Sequence, residues 1–167
     1  LIVSTACVGG RPSGHIFQQF EGKKFNELTP DLVDDPAVLN QIMRKLENMT
    51  DRFVDAVGEE NFFLEIQFND LVAQNLANRC IINLSEKTGI PLVATADSHY
   101  CNPDMWEARE MYKLLGRMGS RGGEMPKLPK KEDLKCELYP KNAQQMWDEF
   151  GKSYDKYDFY KGSEEAV

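Results

Sequence analysis

One short apolar run limits the possible folds of this 167-residue chain more than any other stretch. Leu92 to Ala94 is too short for a helix, contains a β-branched residue, and follows Gly89 and Pro91, which together predict a buried β-strand. Helical patterns lie on both sides of this strand. Alternation of helices with buried strands is typical of a parallel α/β sheet or barrel, so the predicted fold class is α/β with mostly parallel strands and flanking helices.

An acid and a histidine follow this strand directly. Asp97 and His99 are two residues apart, so in an extended chain their side chains point the same way. Parallel α/β folds hold their functional sites at the carboxyl ends of their strands. Carboxylate and imidazole are competent ligands for zinc or manganese, which makes this pair the leading functional signal in the chain.

A second strand is predicted from Leu1 to Ala6, where an apolar run ends in Cys7 and the glycine pair at positions 9 and 10. Cys7 therefore lies at the carboxyl end of its strand, as Asp97 does. A thiolate can bind zinc, but a free cysteine is more often a small buried apolar residue. The residues alone therefore favour a buried packing role for Cys7 over a role as a metal ligand.

A third strand is predicted from Asn61 to Phe68, because large apolar residues alternate there with Glu65 and Gln67. Those two polar side chains need partners, since an unpaired buried carboxylate is costly. Two interpretations of Glu65 stay open. It could hold metal ligands in place, or it could be satisfied by backbone donors or water.

Several helices follow from caps and apolar spacing. The clearest begins at Pro36 after an acidic cap and ends before Gly58. Another follows Asp70, the expected cap, and ends before Gly89. Shorter helices are expected at 16–20, 103–118 and 143–150, with a short strand at 138–139, a polar loop from 119 through 126 to 131, and partial order in 151–167.

Bulk composition excludes some classes of protein. The net charge of −7 argues against a free-standing non-specific nucleic-acid binder. No apolar run approaches the roughly 18 residues of a membrane span. The four cysteines are widely spaced, which gives no zinc-knuckle or disulfide pattern and favours the reducing cytoplasm. His15 is interpreted as a capping or solvent-facing residue.

Three collinear segments resemble the PHP (polymerase and histidinol phosphatase) family, especially the form found in alpha subunits of bacterial and phage replicative DNA polymerases. Residues 92–100, Leu-Val-Ala-Thr-Ala-Asp-Ser-His-Tyr, are similar to the family's closing metal motif. Residues 2–10 resemble its Ser-x-Cys-Leu-Gly-Gly segment, and residues 62–67 resemble its Tyr-Leu-Glu-Ile-Gln strand. Asn102-Pro103-Asp104 and residues 138–150 also follow the polymerase pattern.

The resemblance implies a partial PHP-type (βα) barrel in residues 1–118, with residues 119–167 forming a loop and connecting segment that leads towards the polymerase core. It places Cys7, Asp97 and His99 at three of the nine ligand positions of a zinc or manganese cluster that hydrolyses phosphoesters. In the polymerases this implies either a proofreading 3′–5′ exonuclease or an inactive structural brace. DNA and other replication proteins are the implied partners of the parent protein, whose polymerase core would use magnesium.

The other ligand positions would precede Leu1, so the chain is expected to be a segment of a longer protein, with no catalytic residue when isolated. An incomplete barrel is expected to self-associate or to pair with a chain that supplies the missing strands. Two alternatives remain: a stand-alone PHP phosphoesterase, and a non-catalytic scaffold in a replication complex.

Overall fold

A computed structural model describes residues 1–118, 127–134 and 136–167 of the chain. This part contains three β-strands and five α-helices, together with several short 3₁₀ turns. In chain order they are β1 (Val3–Ser4), α1 (Arg11–Gln18), α2 (Pro36–Val57), β2 (Phe62–Gln67), α3 (Val72–Thr88), β3 (Leu92–Thr95), α4 (Trp106–Met118) and α5 (Ala143–Lys156).

The three strands form one parallel sheet in the order β1-β2-β3. Val3 pairs with Phe62, and Leu64 pairs with Leu92. Helices α1 and α2 connect β1 to β2, and α3 connects β2 to β3. The predicted α/β class with parallel strands and flanking helices is therefore confirmed, and the described strands do not close into a barrel.

Strand β2 divides the sheet into an apolar and a polar face. Phe62, Leu64 and Ile66 are almost completely buried and pack in the main core. Phe53 of α2 stacks on Phe62 with ring centroids 5.5 Å apart. Glu65 lies on the opposite face of β2, as the alternating pattern predicts.

Helix α2 forms where its caps and apolar spacing place it. The Asp35 carboxylate accepts a hydrogen bond from the backbone N–H of Ala37 (2.8 Å), and Pro36 occupies the first turn. Leu46 on its buried side is fully enclosed. Gly58 ends the helix with φ of 89°, which L-residues with a side chain rarely adopt. The predicted bounds of this helix are confirmed.

Helix α3 is confirmed, with Cys80 fully buried in the core, but its predicted cap is wrong. Leu71 occupies the N-cap position and no side chain caps the helix there. Asp70 is instead exposed and lies 3.5 Å from the ammonium group of Lys156. A partner distant in sequence has replaced the expected local hydrogen bond.

The amino-terminal predictions are only partly correct. Strand β1 contains two residues rather than the whole of residues 1–6, and Leu1 is 95% exposed because no described element covers it. Helix α1 begins at Arg11, earlier than predicted, because Pro12 is compatible with a first helical turn. Ile16 on this helix is fully buried.

The carboxyl-terminal part is more ordered than the sequence suggests. Residues 138–139 are not a strand, and α5 continues to Lys156 instead of ending at Phe150. Beyond α5, the chain forms two 3₁₀ turns and buries Tyr160 completely in the main core. The predicted partial order of residues 151–167 is therefore wrong.

Two remaining points concern the loop and the surface. The predicted polar loop at 119–126 lies outside the described residues, and its continuation includes a 3₁₀ turn at Lys131–Asp133. In the part of the chain that the structure describes, no helix is long and apolar enough to cross a membrane.

Candidate functional site

A cavity of about 590 Å³ lies at the carboxyl ends of the strands. Cys7, Asp97 and His99 all line it. Cys7 comes shortly after β1, and the other two follow β3, the strand on the far side of β2. The parallel arrangement brings these three residues, separated by about 90 positions in the sequence, to one end of the sheet.

The turn that carries Cys7 is tightly constrained. Ala6 adopts a left-handed conformation with φ of 61°. The backbone N–H of Gly10 donates to the carbonyl of Cys7 (2.7 Å), and a Cβ at Gly10 would lie 2.8 Å from the carbonyl oxygen of Thr5. Only glycine fits there without a shift of the backbone. The turn leaves the Cys7 sulfur accepting a hydrogen bond from the backbone N–H of Gly9 (3.4 Å), which orients the side chain.

Asp97 also has a left-handed backbone, with φ of 49°. Such a conformation costs about 1–2 kcal/mol in a residue other than glycine, and residues of this kind are concentrated at functional sites. The amide of Asn69, which follows β2, donates to Asp97 Oδ2 at 3.5 Å. The Asp97 side chain is only 17% exposed, so the carboxylate lies in the cavity wall and not in open solvent.

His99 is held in one tautomer by its neighbour. Its Nδ1 lies 2.6 Å from the backbone carbonyl of Asp97, and because a carbonyl can only accept, Nδ1 must donate. In the neutral ring the lone pair is then on Nε2, the nitrogen that remains available to a metal ion. The backbone N–H of His99 donates to the carbonyl of Leu138 (2.7 Å), which fixes the loop.

Glu65 joins the three strands on the polar face of the sheet. Its carboxylate accepts from the hydroxyls of Ser4 on β1 and Thr95 on β3, the latter at 2.6 Å, and from the amide of Gln67 at 2.8 Å. Within the described residues, none of its hydrogen-bond partners is Cys7, Asp97 or His99. Glu65 therefore braces the strands that lead to the cavity, and a role in holding a metal ligand stays a prediction.

The cavity lining includes further residues that sequence reasoning did not assign to the site. Among them, Asn69, Glu110 and Cys136 carry groups of the kind that can bind or orient a ligand. Burial, followed by the negative charges of Asp70 and Asp97, raises the pKa of the Cys136 thiol. The only sequence signal for Asn69 was its position after β2, where the resembling family often has a histidine-glycine pair.

The negative charge of Glu110 is compensated by two cationic residues of the same helix, α4. Its carboxylate lies 2.7 Å from the Arg109 guanidinium and 2.8 Å from the Lys113 ammonium. Although burial raises the pKa of Glu110, hydrogen bonds and charge from these two residues hold it below its usual range. Glu110 is consequently a poor metal ligand in this conformation.

The cavity contains metal-binding types of side chain but not a complete set of metal ligands. A thiol, a carboxylate and an imidazole of the correct tautomer share one cavity, which fits a divalent metal in donor chemistry. Across the described residues, however, no three His, Cys, Asp or Glu side chains form a group that could hold a metal ion. The donors fit zinc or manganese by type, and their present spacing does not form a completed site.

His15, the other histidine, lies apart from these residues. It belongs to α1 and lines a separate cavity between α1 and α2. His15 lies inside α1 and is half-buried, so it is not the N-cap residue of this helix and it faces solvent only in part.

Comparison with known proteins gives relatives of one kind. No protein-family model matches the chain. The chain is 31% identical over 104 residues to the DNA polymerase III subunit alpha of Aquifex aeolicus, covering 62% of this chain and 7% of that protein. The corresponding subunit of Treponema pallidum is 28% identical over 103 residues, covering 62% of this chain and 8% of the relative.

A shorter but closer similarity links the chain to the DNA polymerase III subunit alpha of Chlamydia trachomatis. The two are 38% identical over 56 residues, which is 34% of this chain and 4% of the relative. The chain thus spans less than a tenth of the length of these curated relatives. It is similar to a short part of DNA polymerase III alpha subunits.

Proposed function

We propose that this chain is a segment of the PHP domain of a replicative DNA polymerase alpha subunit. The observation that carries the proposal is the meeting of Cys7, Asp97 and His99 in one cavity at the carboxyl ends of parallel strands. The alpha subunits of three bacterial polymerases supply independent support, since they align with most or part of the same chain. Residues 1–118 would belong to an open part of the barrel, and residues 119–167 would lead towards the polymerase core.

In the complete domain, Cys7, Asp97 and His99 would supply part of a zinc or manganese site. A bound metal would polarise a phosphate oxygen or activate water for phosphoester hydrolysis. The chain's own contribution is positional. The Gly9 amide donates to the Cys7 sulfur, the Asp97 carbonyl fixes the tautomer of His99, and Asn69 orients the Asp97 carboxylate.

The segment alone would be inert, because these donors do not form a closed group. The parent protein would carry DNA synthesis, with magnesium in its core, and its PHP domain would carry a 3′–5′ exonuclease or serve as a brace. DNA and other replication proteins would be its partners in the cytoplasm. The exposed Leu1 and Ile2, next to the edge strand β1, favour pairing with further strands.

Removal of the proposed ligands tests this function. In the parent protein, Asp97→Ala and His99→Ala are expected to abolish release of nucleotides from a primer 3′ end and to lower the bound zinc or manganese. Glu86→Ala is the control, because it removes an exposed acid of α3 that lines neither the candidate site nor the cavity of His15. Exonuclease activity and metal content that survive both ligand substitutions would refute the proposal.

A non-catalytic scaffold is the second candidate. It is favoured by the hydrogen bonds that Asp97 and His99 already make to Asn69 and to the backbone within the cavity. If the cavity only stabilises the fold, Asp97→Ala should lower the free energy of unfolding of the parent without changing its metal content. Elemental analysis of the purified parent before and after the substitution separates the two functions.

A further inference from the structure

A second cavity, of about 460 Å³, lies between α1 and α2 and has a strongly basic lining. Its charged or ionisable side chains are Arg11 and His15 from α1 and Lys45 and Arg52 from α2. No acidic residue is among the described residues that line it. This is unexpected in a chain of net charge −7 and marks a local concentration of positive charge.

The described residues provide no partner for these cations. Within the described part of the chain, the side chains of Arg11, Lys45 and Arg52 make no ion pair, hydrogen bond or ring contact. By contrast, Arg79 pairs with Asp34 and Lys87 pairs with Glu47. Asp51 and Asp55 are exposed on the adjoining surface of α2 and are not bonded to these cations. The positive charges are therefore available to an external anion.

The spacing of the cations indicates the size of that anion. Lys45 and Arg52 are two helical turns apart, about 10 Å along the axis of α2, and Arg11 and His15 are about 6 Å apart along α1. One phosphate group cannot neutralise all three permanent cations, because it carries at most about two negative charges. A chain of phosphates can, because it carries repeated negative charges along its length.

The floor of the cavity is apolar and contains an aromatic ring. Met49, Phe53 and Ala56 line it, and one face of the Phe53 ring is stacked on Phe62 in the core. A basic groove that contains an aromatic residue is typical of surfaces that bind single strands, because unpaired bases can stack on the aromatic ring. We propose that this cavity is such a groove. It would bind the backbone phosphates of single-stranded nucleic acid through its cations, with a base over the apolar floor.

The site is independent of the proposed metal cavity, because the two share no lining residue. Fluorescence anisotropy of a labelled thymidylate dodecamer, titrated with the full 167-residue chain, tests it. Three permanent cations predict a salt slope of about −2, so that affinity falls about 15-fold between about 50 and about 200 mM salt. A duplex of the same length and free thymidine monophosphate should both bind more weakly than the single strand.

Charge-neutral variants locate the binding surface. Lys45→Gln and Arg52→Gln are each expected to weaken binding about tenfold, the cost of one lost charge-assisted contact. Arg44→Gln is the matched control, since it removes the same charge from an exposed position of α2 outside the groove and should change affinity less than about twofold. All three positions are exposed, so the fold should survive, which unfolding curves in urea will verify.

The proposal is overturned if the dodecamer does not bind at low salt, or if Arg44→Gln weakens binding as much as Arg52→Gln does. Equal affinity for thymidine monophosphate would also overturn it, because a chain of phosphates would then not be needed for binding. Equal affinity for the duplex would overturn it as well, because an unpaired base would then not be needed. Backbone amide shifts in NMR spectra provide an independent check. On addition of the dodecamer they should change at 11–18 and 45–56 and not at the cavity of Cys7.

Discussion

The Tyr160 hydroxyl is the best single test of how the carboxyl-terminal segment is attached. This side chain is fully buried, and its hydroxyl donates to Asn75 Oδ1 and accepts from Asn78 Nδ2, both at 2.7 Å. Asn78 also donates to the backbone carbonyl of Gln67 at 2.7 Å. One buried hydroxyl thus connects the last segment of the chain to α3 and, through Asn78, to the carboxyl end of β2.

Tyr160→Phe keeps the ring contacts with Phe68 and Phe150 and removes only the hydroxyl. Two hydrogen bonds are lost, and Asn75 Oδ1 is left without its donor inside the core. Asn78 is less affected, because its amide still donates to Gln67. A lost buried hydrogen bond costs about 1 kcal/mol and an orphaned acceptor about 1–3, so the free energy of unfolding should fall by about 2–4 kcal/mol.

Urea titration followed by tryptophan fluorescence measures this loss, and the midpoint of thermal unfolding should fall by about 5–10 °C. Tyr154→Phe is the matched control: Tyr154 contacts the same Phe150 ring, but its hydroxyl makes no hydrogen bond within the described residues. It should change the free energy by less than about 0.5 kcal/mol. Equal, small effects of the two substitutions would refute the stabilising role of the Tyr160 hydroxyl.

The same hydroxyl predicts a pH dependence. Burial raises the pKa of Tyr160 well above its ordinary value of 10.0, so the folded protein keeps the phenol neutral while the unfolded chain ionises it. The Tyr160 contribution to stability is therefore constant below about pH 10 and is lost above it, at about 1.4 kcal/mol per pH unit. Tyr160→Phe should remove this component of the alkaline loss, and an unchanged alkaline slope would contradict the assignment.

Three further substitutions test local features. Burial raises the pKa of the Cys80 thiol from 9.0 to about 12, so stability should fall above about pH 9, and Cys80→Ala should flatten that slope in urea titrations at increasing pH. Asp35→Ala should cost about 1 kcal/mol through the lost cap of α2, whereas Asp51→Ala on the exposed side of the same helix should cost less than about 0.5. Gly89→Ala should destabilise the protein by about 1 kcal/mol because φ is 76° there, whereas Gly151→Ala inside α5 should stabilise it by about 0.5 kcal/mol. Melting temperatures that change in the same direction for both substitutions would contradict this conformational argument.

Elements with strong local signals were predictable from the sequence. Helix α2 has an acidic cap, a proline in its first turn and a glycine at its end, and all three act within a few residues. Strand β2 alternates large apolar side chains with Glu65 and Gln67, a pattern that determines which face meets the core. In both cases the tertiary structure agrees with the local preference.

The errors arise where a distant partner determines the outcome. Leu1 is apolar and was expected in a buried strand, yet it is 95% exposed because no described element packs on it. Residues 138–139 look like a strand, but Leu138 bonds to the backbone of His99 and Tyr100 in a loop. Tyr160 lies in a polar stretch without period, and its burial depends on Asn75 and Asn78, more than 80 positions earlier.

The candidate site depends both on local sequence signals and on partners that are distant in the sequence. The shared location of Cys7, Asp97 and His99 was predictable, because parallel strands bring their carboxyl ends together and each residue follows a strand; their role as metal ligands stays a prediction. The wall of the site was not predictable, because Leu138 comes from the far end of the chain. The carbonyl of Leu138 accepts from the backbone N–H groups of His99 (2.7 Å) and Tyr100 (3.2 Å), and the Tyr100 hydroxyl accepts from the N–H of Leu138 (3.0 Å).

These three bonds couple the position of His99 to the carboxyl-terminal segment. Tyr100→Phe removes one of them without touching a candidate ligand, and the Leu138 N–H then loses its acceptor. If His99 binds metal in the parent protein, this substitution should weaken zinc affinity about tenfold while the donor set stays intact, since removing a group that orients a ligand has an effect of that size. Competitive titration with a chelator measures the change. Unaltered affinity in Tyr100→Phe, with lost affinity in His99→Ala, would mean that the strand end alone positions the imidazole.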